Sequence, residues 1–486
     1  MEEKQTLYSY LHRTLREQII TGYLPHGAAL PSIQRLSEMY HVGIRTVRDA
    51  LDALRREGLI CTQERRVATV SYRWPAGDGG ESFDRSALEN KSSILAVYKT
   101  MAALIPGLLA VSARSCSRVE LSERCKPLVR AGKGGPEEKW RTVSALLCHL
   151  LDASQNPLFR DVYTHLEMYS RTPYFLEQKR FRTLIADYND YQDTLWAISA
   201  LQEGEPEKII HRFSAVFHST ADAVRVYLDE VSSRYPAAVE NRDGVFSWNA
   251  ERGRGHYYMQ ITRDLIDKIA AGVYREGAFL PSEAALAQHY KVSVSTIRNA
   301  LTSLCRLGFG QTFNGRGTQI IRQDNQAIFQ CMKNKAYKKD TLLCLSGLQF
   351  MIVAIGPAAR LAFPRIGPDK QVQLLDKIKA AGEIPLEQIQ RGIIDALPLQ
   401  PLRLILQEVS RSFLWSYYFS FFSRNGQSSK QLNRESLDAF RRLQTGDQEG
   451  FSRRLCLCYD HIFRLMRDFM AVCGLPEAAR LISPIQ

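Results

Sequence analysis

The chain repeats itself. Leu30-Pro31-Ser32 returns 250 positions later as Leu280-Pro281-Ser282, and Thr46-Val47-Arg48-Asp49-Ala50-Leu51 returns as Thr296-Ile297-Arg298-Asn299-Ala300-Leu301. Tyr8 and Tyr258, Gly22 and Gly272, Gly27 and Gly277, and Tyr40 and Tyr290 keep the same register. A gap-free register over about 60 residues is an internal duplication. Its period is far longer than the roughly 20–50 residues of a solenoid unit, so each copy has to fold as a complete module.

Both copies carry the same periodicity. Leu7, Tyr8, Leu11, Leu15, Ile19 and Ile20 recur at helical spacing and Gly22 ends the run. Ser32 has the chemistry of an N-cap for a second helix, with Leu36, Met39 and Tyr40 inward. His41-Val42-Gly43 reads as a tight turn. A third helix follows, with Val47, Ala50, Leu51 and Leu54 apolar, and stops before Gly58. Leu59-Ile60 and Ala68-Thr69-Val70 read as two short strands around the basic tip Glu64-Arg65-Arg66. The second copy, Tyr258 to Ile321, has the turn Asn314-Gly315-Arg316-Gly317 at that tip. Helix, helix–turn–helix and hairpin together predict a winged helix-turn-helix in each copy.

The intervening stretches show helical periodicity and almost no strand signal. ALQEGEPEKIIHRF (200–213) lies over RLQTGDQEGFSRRL (442–455), so these stretches are related as well. The predicted fold is mainly α: two winged helices alternating with two all-helical domains. The expected boundaries are a first winged helix at 1–73, a linker at 74–85 and a helical domain at 86–235. A second linker at 236–255, a second winged helix at 256–323 and a second helical domain at 324–486 complete the chain.

Charge bears on the partner. With 64 Lys and Arg against 51 Asp and Glu, the net charge is +13, which favours a polyanion. Residues 1–75 contribute +3 (11 against 8) and residues 251–325 contribute +4 (10 against 6), which suits docking at a specific site more than a polybasic sponge. The ten cysteines have neither zinc-site nor CxxC spacing, which points to a reducing compartment. MEEKQTLYSY lacks the pattern of a signal peptide, so the expected location is cytoplasmic. Thr341–Ala359 is uncharged and long enough to be weighed as a membrane span. It contains Gln349, Gly356 and Pro357, and its counterpart near Ser92–Arg114 carries Lys99. A buried helix explains both copies, and no membrane partner is expected.

The spaced motifs resemble the GntR family of bacterial transcription regulators, whose winged helix has a pattern close to LPSERxLA, GVSRxTVRxAL, EGL and GxGTFV. The first copy matches at Leu30-Pro31-Ser32, Leu36, Thr46-Val47-Arg48, Ala50-Leu51 and Glu57-Gly58-Leu59. The second matches at Leu280-Pro281-Ser282-Glu283, Leu286-Ala287, Thr296-Ile297-Arg298, Ala300-Leu301 and Gly315-Arg316-Gly317-Thr318. LLDASQNPLFRDVY (150–163) and ALQEGEPE (200–207) are similar to segments of the ligand-binding domain in the FadR-like branch. The chain departs from the family where Gln34 and Ala284 replace an arginine, and where Gly43-Ile44 and Ser293-Val294 replace Ser-Arg. Arg65 and Val67 stand where the second copy keeps its wing glycines.

The resemblance implies double-stranded operator DNA as partner and a small-molecule effector in the helical domains. Recognition-helix residues near base edges are then Arg45, Thr46 and Arg48 in one copy and Ser295, Thr296 and Arg298 in the other, beside Ile44 and Val294. Arg48 and Arg298 have the geometry for bidentate pairing with guanine or for clamping phosphate. Ser32 and Ser282 open helices whose backbone N–H groups favour phosphate, and Arg66 and Arg316 sit at the wing tips. A solvated helix face or an intradomain salt bridge competes as the reading of Arg48, and a solvated turn as the reading of the wing arginines. Many FadR-like domains hold a metal, but its ligand positions fall on Val143, Leu147 and near Thr194 and Val216, so no metal is expected. His149, His165, His211 and His218 lie off that register and read as surface or core histidines.

The fused pair predicts an intramolecular pseudo-dimer reading an asymmetric operator, with further homodimerisation open. The competing class is a degenerate protein-interaction module with weak or no DNA binding. No nucleophile–base constellation, paired carboxylates or phosphate-binding βαβ pattern stands out, so neither catalysis nor a cofactor is expected. The run Phe413–Phe419 reads as helical core or interface.

Overall fold

The computed structural model describes residues 7–20, 23–40, 42–62, 67–72, 81–131, 134–188, 191–236, 246–248, 257–270, 273–321, 335–379, 384–413 and 427–485. The chain divides into two compact units, one built mainly from its first half and one mainly from its second.

In the first unit, α1 (Leu7–Ile20), α2 (Ile33–Tyr40) and α3 (Ile44–Arg56) precede the strands β1 (Ile60–Cys61) and β2 (Thr69–Val70). Leu11, Leu15 and Ile19 of α1 meet Leu36 of α2 and Val47, Ala50, Leu51 and Leu54 of α3 in one buried core. The apolar residues of α3 recur every three or four positions, so a single stripe faces that core and the rest of the helix is left to solvent. Gly27 N–H donates to Val70 O at 2.9 Å, Val70 N–H to Ala28 O at 2.9 Å and Leu30 N–H to Ala68 O at 2.8 Å, adding a third edge to the hairpin.

The second unit repeats this frame. It contains α13 (Tyr257–Ala270), α14 (Glu283–Tyr290), α15 (Val294–Arg306), β3 (Gly310–Phe313) and β4 (Gly317–Ile320). The same three backbone bonds recur, each 250 positions on: Gly277 N–H to Ile320 O, Ile320 N–H to Ala278 O and Leu280 N–H to Thr318 O, all at 2.9 Å. The isolated bridge Ala29–Thr69 likewise returns as Phe279–Gln319. The wing differs: β3 and β4 pair over four residues each, against two each for β1 and β2. Gly315 and Gly317 turn that longer hairpin at φ of 77° and 97°, a region that costs any side chain bearing Cβ. Val67, at the position of Gly317, is not among the positive-φ residues.

The rest of the first unit is helical: α4 (Glu81–Glu89), α5 (Lys91–Ala113), α6 (Arg118–Ala131), α7 (Pro136–Ala153), α8 (Pro157–Ser170), α9 (Thr172–Glu177), α10 (Lys179–Tyr188), α11 (Tyr191–Glu203) and α12 (Pro206–Arg234). α4 lies partly within the stretch read as a linker. In the second unit follow α16 (Lys335–Ala362), α17 (Pro368–Lys379), α18 (Pro385–Ala396), α19 (Gln400–Phe413), α20 (Gln427–Gln444) and α21 (Gln448–Val472). No strand occurs in either helical stretch among the described residues.

Within each unit the long apolar helix packs along the last long helix, α5 on α12 and α16 on α21. Lys91–Ala113 and Thr341–Arg365 are long and apolar enough to cross a membrane. Their apolar windows are 72% and 78% buried by the protein itself, as central core helices are. The related turns also superpose in kind: Gly204 ends α11 at φ 73° and Gly446 ends α20 at φ 82°.

Part of the stretch read as the second linker is docked. Phe246 and Trp248 are buried. Trp248 Nε1 donates to Asp161 Oδ2 of α8 at 2.9 Å, and the Phe246 ring meets Tyr169 edge-on at 5.1 Å. A glycine- and arginine-rich surrounding sequence masks these two aromatic anchors. Of the aromatic run, only the backbone of Phe413 falls among the described residues.

Candidate nucleic-acid interface

In the first unit, the core stripe of α3 dictates which residues face outward. Burying Val47, Ala50 and Leu51 leaves Ile44, Arg45 and Arg48 exposed and three or four positions apart on one face. Thr46 is half-buried beside them. Among the described residues neither Arg45 nor Arg48 has an ion-pair partner, so both guanidinium groups keep their full set of donors for an incoming acceptor. Gly43 precedes the helix in extended conformation and supplies no side-chain cap. Ser32 Oγ accepts from the Arg35 backbone N–H at 3.1 Å. The hydroxyl is therefore committed to capping α2, and the other backbone N–H groups of its first turn are the donors left for an acceptor.

The equivalent face of the second unit has different chemistry. Ser282 Oγ caps α14 by accepting from Ala285 N–H at 3.2 Å. Ser293 caps α15, accepting from Thr296 N–H at 3.3 Å, and its Oγ lies 2.8 Å from both the Ser295 and Thr296 hydroxyls. Ser295 and Thr296 thus belong to a hydroxyl cluster at the helix start. Arg298 Nε donates to Glu283 Oε2 at 2.7 Å, with side chains 67% and 41% exposed. The intradomain ion pair weighed for Arg48 occurs instead at its counterpart, Arg298. Glu283 has no counterpart in the first unit, where Ile33 occupies its position and packs against the core.

At the second wing Arg316 is exposed, and its guanidinium lies over the Phe279 ring at 5.7 Å. Phe279 in turn meets Phe313 edge-on at 6.1 Å. This platform fixes the direction of the arginine while its donors stay in solvent. Arg66, its counterpart, lies outside the described residues. Ser282, Ser295, Thr296 and Arg298 thus lie on the helix pair and Arg316 lies on the hairpin. Residue typing missed Glu283, whose contact spans 15 positions across two helices and follows no periodicity. It also passed over Phe279, which reads as an ordinary strand residue.

A cavity in the first unit lies where the winged helix, through Tyr23 and Leu24, meets the helical part. It measures about 350 Å³ and is lined by Tyr23, Trp140, Ser144, Cys148, His149 and Arg160, among others. Behind it Glu167 is buried, accepting from Ser144 Oγ at 2.7 Å and Tyr163 OH at 2.8 Å. Burial raises its pKa to about 7 against the opposing pull of its hydrogen-bond donors. Burial also pushes the Cys148 thiol up to about 11, which makes it a poor nucleophile. His165, one of the off-register histidines, places Nδ1 2.8 Å from Asp161 O. No group of three His, Cys, Asp or Glu side chains with metal-binding geometry occurs among the described residues.

Residues 7–70 and 257–320 each match the family described as bacterial regulatory proteins, gntR family. A probable fructoselysine utilization operon transcriptional repressor of Escherichia coli is 38% identical over 66 residues, which make up 14% of this chain and 27% of the repressor. The repressor of that name in Shigella flexneri matches to the same extent. Among solved structures, E. coli McbR/YncC is 17% identical with a TM-score of 0.22, over 48% of this chain and 99% of that one. Streptococcus agalactiae GntR is 18% identical with a TM-score of 0.19, over 43% of this chain and 99% of that one.

Proposed function

Since the chain belongs to the GntR family of bacterial regulatory proteins, we propose that it is a cytoplasmic transcription regulator whose two winged helices read the unequal halves of one asymmetric operator. A small molecule held by the helical domains controls that binding. The observation that carries this reading is the pairing of a repeated backbone frame with unlike recognition faces. The frame's hydrogen bonds recur at the same register. One face presents Arg45 and Arg48 with no ion-pair partner among the described residues, whereas the other presents a hydroxyl cluster and an arginine tied to Glu283. Two-fold symmetric dimers read palindromes. A chain with unlike faces has no such requirement.

Effector control requires a ligand that binds the two states of the protein with different affinity. The cavity over Glu167 supports a site for one in the first unit, since it combines aromatic walls with convergent polar groups. The proposed domains follow the boundaries expected from the sequence, with α4 and the Phe246–Trp248 segment assigned to the first helical domain.

The test is selection of genomic fragments by the purified chain, followed by Arg48→Ala and Arg298→Ala. Arg48→Ala is expected to cause the larger loss, because Arg298 is partly neutralised before DNA arrives. Perfect inverted repeats among the selected fragments, or equal losses, would overturn the asymmetric reading. A chain that enriches no fragment at all is the protein-interaction module instead.

A further inference from the structure

Ile44 and Val294 are the first residues of the two recognition helices, and both are exposed, at 49% and 37%. Neither is needed inside: the next apolar residues, Val47 and Ile297, are fully buried and complete the inward stripe. Each lies four positions before the recognition arginine, hence on the same face of its helix as Arg48 or Arg298. Their flanks have diverged, Arg45 against Ser295 and Asp49 against Asn299, yet both copies hold a β-branched aliphatic residue here. Single exposed apolar residues are ordinary on a protein surface. These two differ because each shares its helix face with an arginine that the proposed function places at base edges.

We infer that Ile44 and Val294 read the 5-methyl group of thymine, so that each half-site carries an A·T pair opposite the start of its recognition helix. This rests on the DNA-binding reading above. The chemistry allows little else in the major groove. Base edges there present hydrogen-bond donors and acceptors, and the thymine methyl is the apolar group among them. An aliphatic side chain at this position gains nothing from a guanine or cytosine edge and leaves its polar groups without partners. The two sites also differ in reach. Isoleucine carries one more methylene than valine and is the more exposed, so the first copy covers its thymine more fully.

The experiment uses the full chain and the tightest duplex it selects from a random-sequence pool. Each thymine is replaced in turn by deoxyuridine, which removes the methyl and leaves base pairing intact, and affinity is read by fluorescence anisotropy. One position in each half-site is expected to lose about four-fold in affinity, the effect of one buried methyl. Ile44→Ala removes the penalty at one of those positions and Val294→Ala at the other, whereas Ile44→Val keeps it. Both residues lie on the surface, so circular dichroism is expected to show unchanged folding. Uniform tolerance of deoxyuridine, with tight binding retained and Arg48→Ala still harmful, overturns the inference alone. A uridine penalty that survives Ile44→Ala and Val294→Ala also overturns it and assigns the methyl contact elsewhere. Enrichment of no duplex overturns the inference together with the function it rests on.

Discussion

The Glu283–Arg298 pair makes the second recognition helix adjustable by a single atom. Replacing Glu283 with Gln keeps the shape and removes the charge that holds the guanidinium at 2.7 Å. With side chains 67% and 41% exposed, the pair is worth about 0.2–1 kcal/mol. If Arg298 meets DNA as proposed, DNA has to break or share that interaction, so its removal is expected to tighten binding by up to about five-fold. On the same reading, loss of a carboxylate from this face adds to the gain at low salt. If the freed arginine reaches a phosphate, the dependence of log affinity on log salt steepens by about 0.9. Ile33→Glu is the mirror experiment, because it installs the acid at the equivalent position of the first copy and is expected to weaken binding. Ile33 packs against the core, so its thermal unfolding has to be followed in parallel. Anisotropy titrations of both variants from low to moderate salt decide the matter. Unchanged affinity and slope in Glu283→Gln, with Arg298→Ala equally silent, would show that Arg298 does not face DNA.

Glu167 predicts a pH-dependent stability. Its folded pKa of about 7 lies above the ordinary 4.5, so the stability present below pH 4.5 is lost as pH rises through 7. The gap corresponds to roughly 3 kcal/mol, which Glu167→Gln should recover above neutrality, flattening the profile of denaturant unfolding against pH. Trp248→Phe deletes the donor to Asp161 and is expected to lower stability by about 1–3 kcal/mol in the same assay. Gly317→Ala forces a Cβ into φ 97° and should cost about 1–2 kcal/mol, with weaker DNA binding through a displaced Arg316. Leaving the Gly317→Ala duplex affinity untouched would remove the wing from the interface.

The winged helices are legible in the sequence because their elements are local and amphipathic. The register of the duplication carries through to the backbone, where the bond joining Gly27 to Val70 returns as the one joining Gly277 to Ile320. The long apolar helices are legible for a different reason: each carries a long window of apolar residues that its own unit mostly buries. What escapes is contact between distant polar residues. Glu283 reads as part of a motif, and only the packing of α14 on α15 aims it at Arg298. Glu167 sits in an ordinary helical segment, and what escapes is Ser144, which reaches it from α7, whereas Tyr163 lies one turn earlier on its own helix. Phe246 and Trp248 are hidden by neighbours typical of a linker. The asymmetry of the wings is half legible: Arg65 and Val67 in place of glycines announce a different turn, but not which turn.

The repeated frame also changes how this protein can vary. In a symmetric dimer one codon change lands on both half-sites, so a substitution that loses one base contact loses two. In this chain the two faces are encoded separately. On the proposed reading, a change at Arg48 or Ile44 alters one side of the complex and leaves the side built on Arg298 and Val294 as it was. A mismatched base pair costs about 1–3 kcal/mol, and a single mutation here spends that once. Small steps of this kind let one face drift toward a new sequence while the other keeps the protein at its old address.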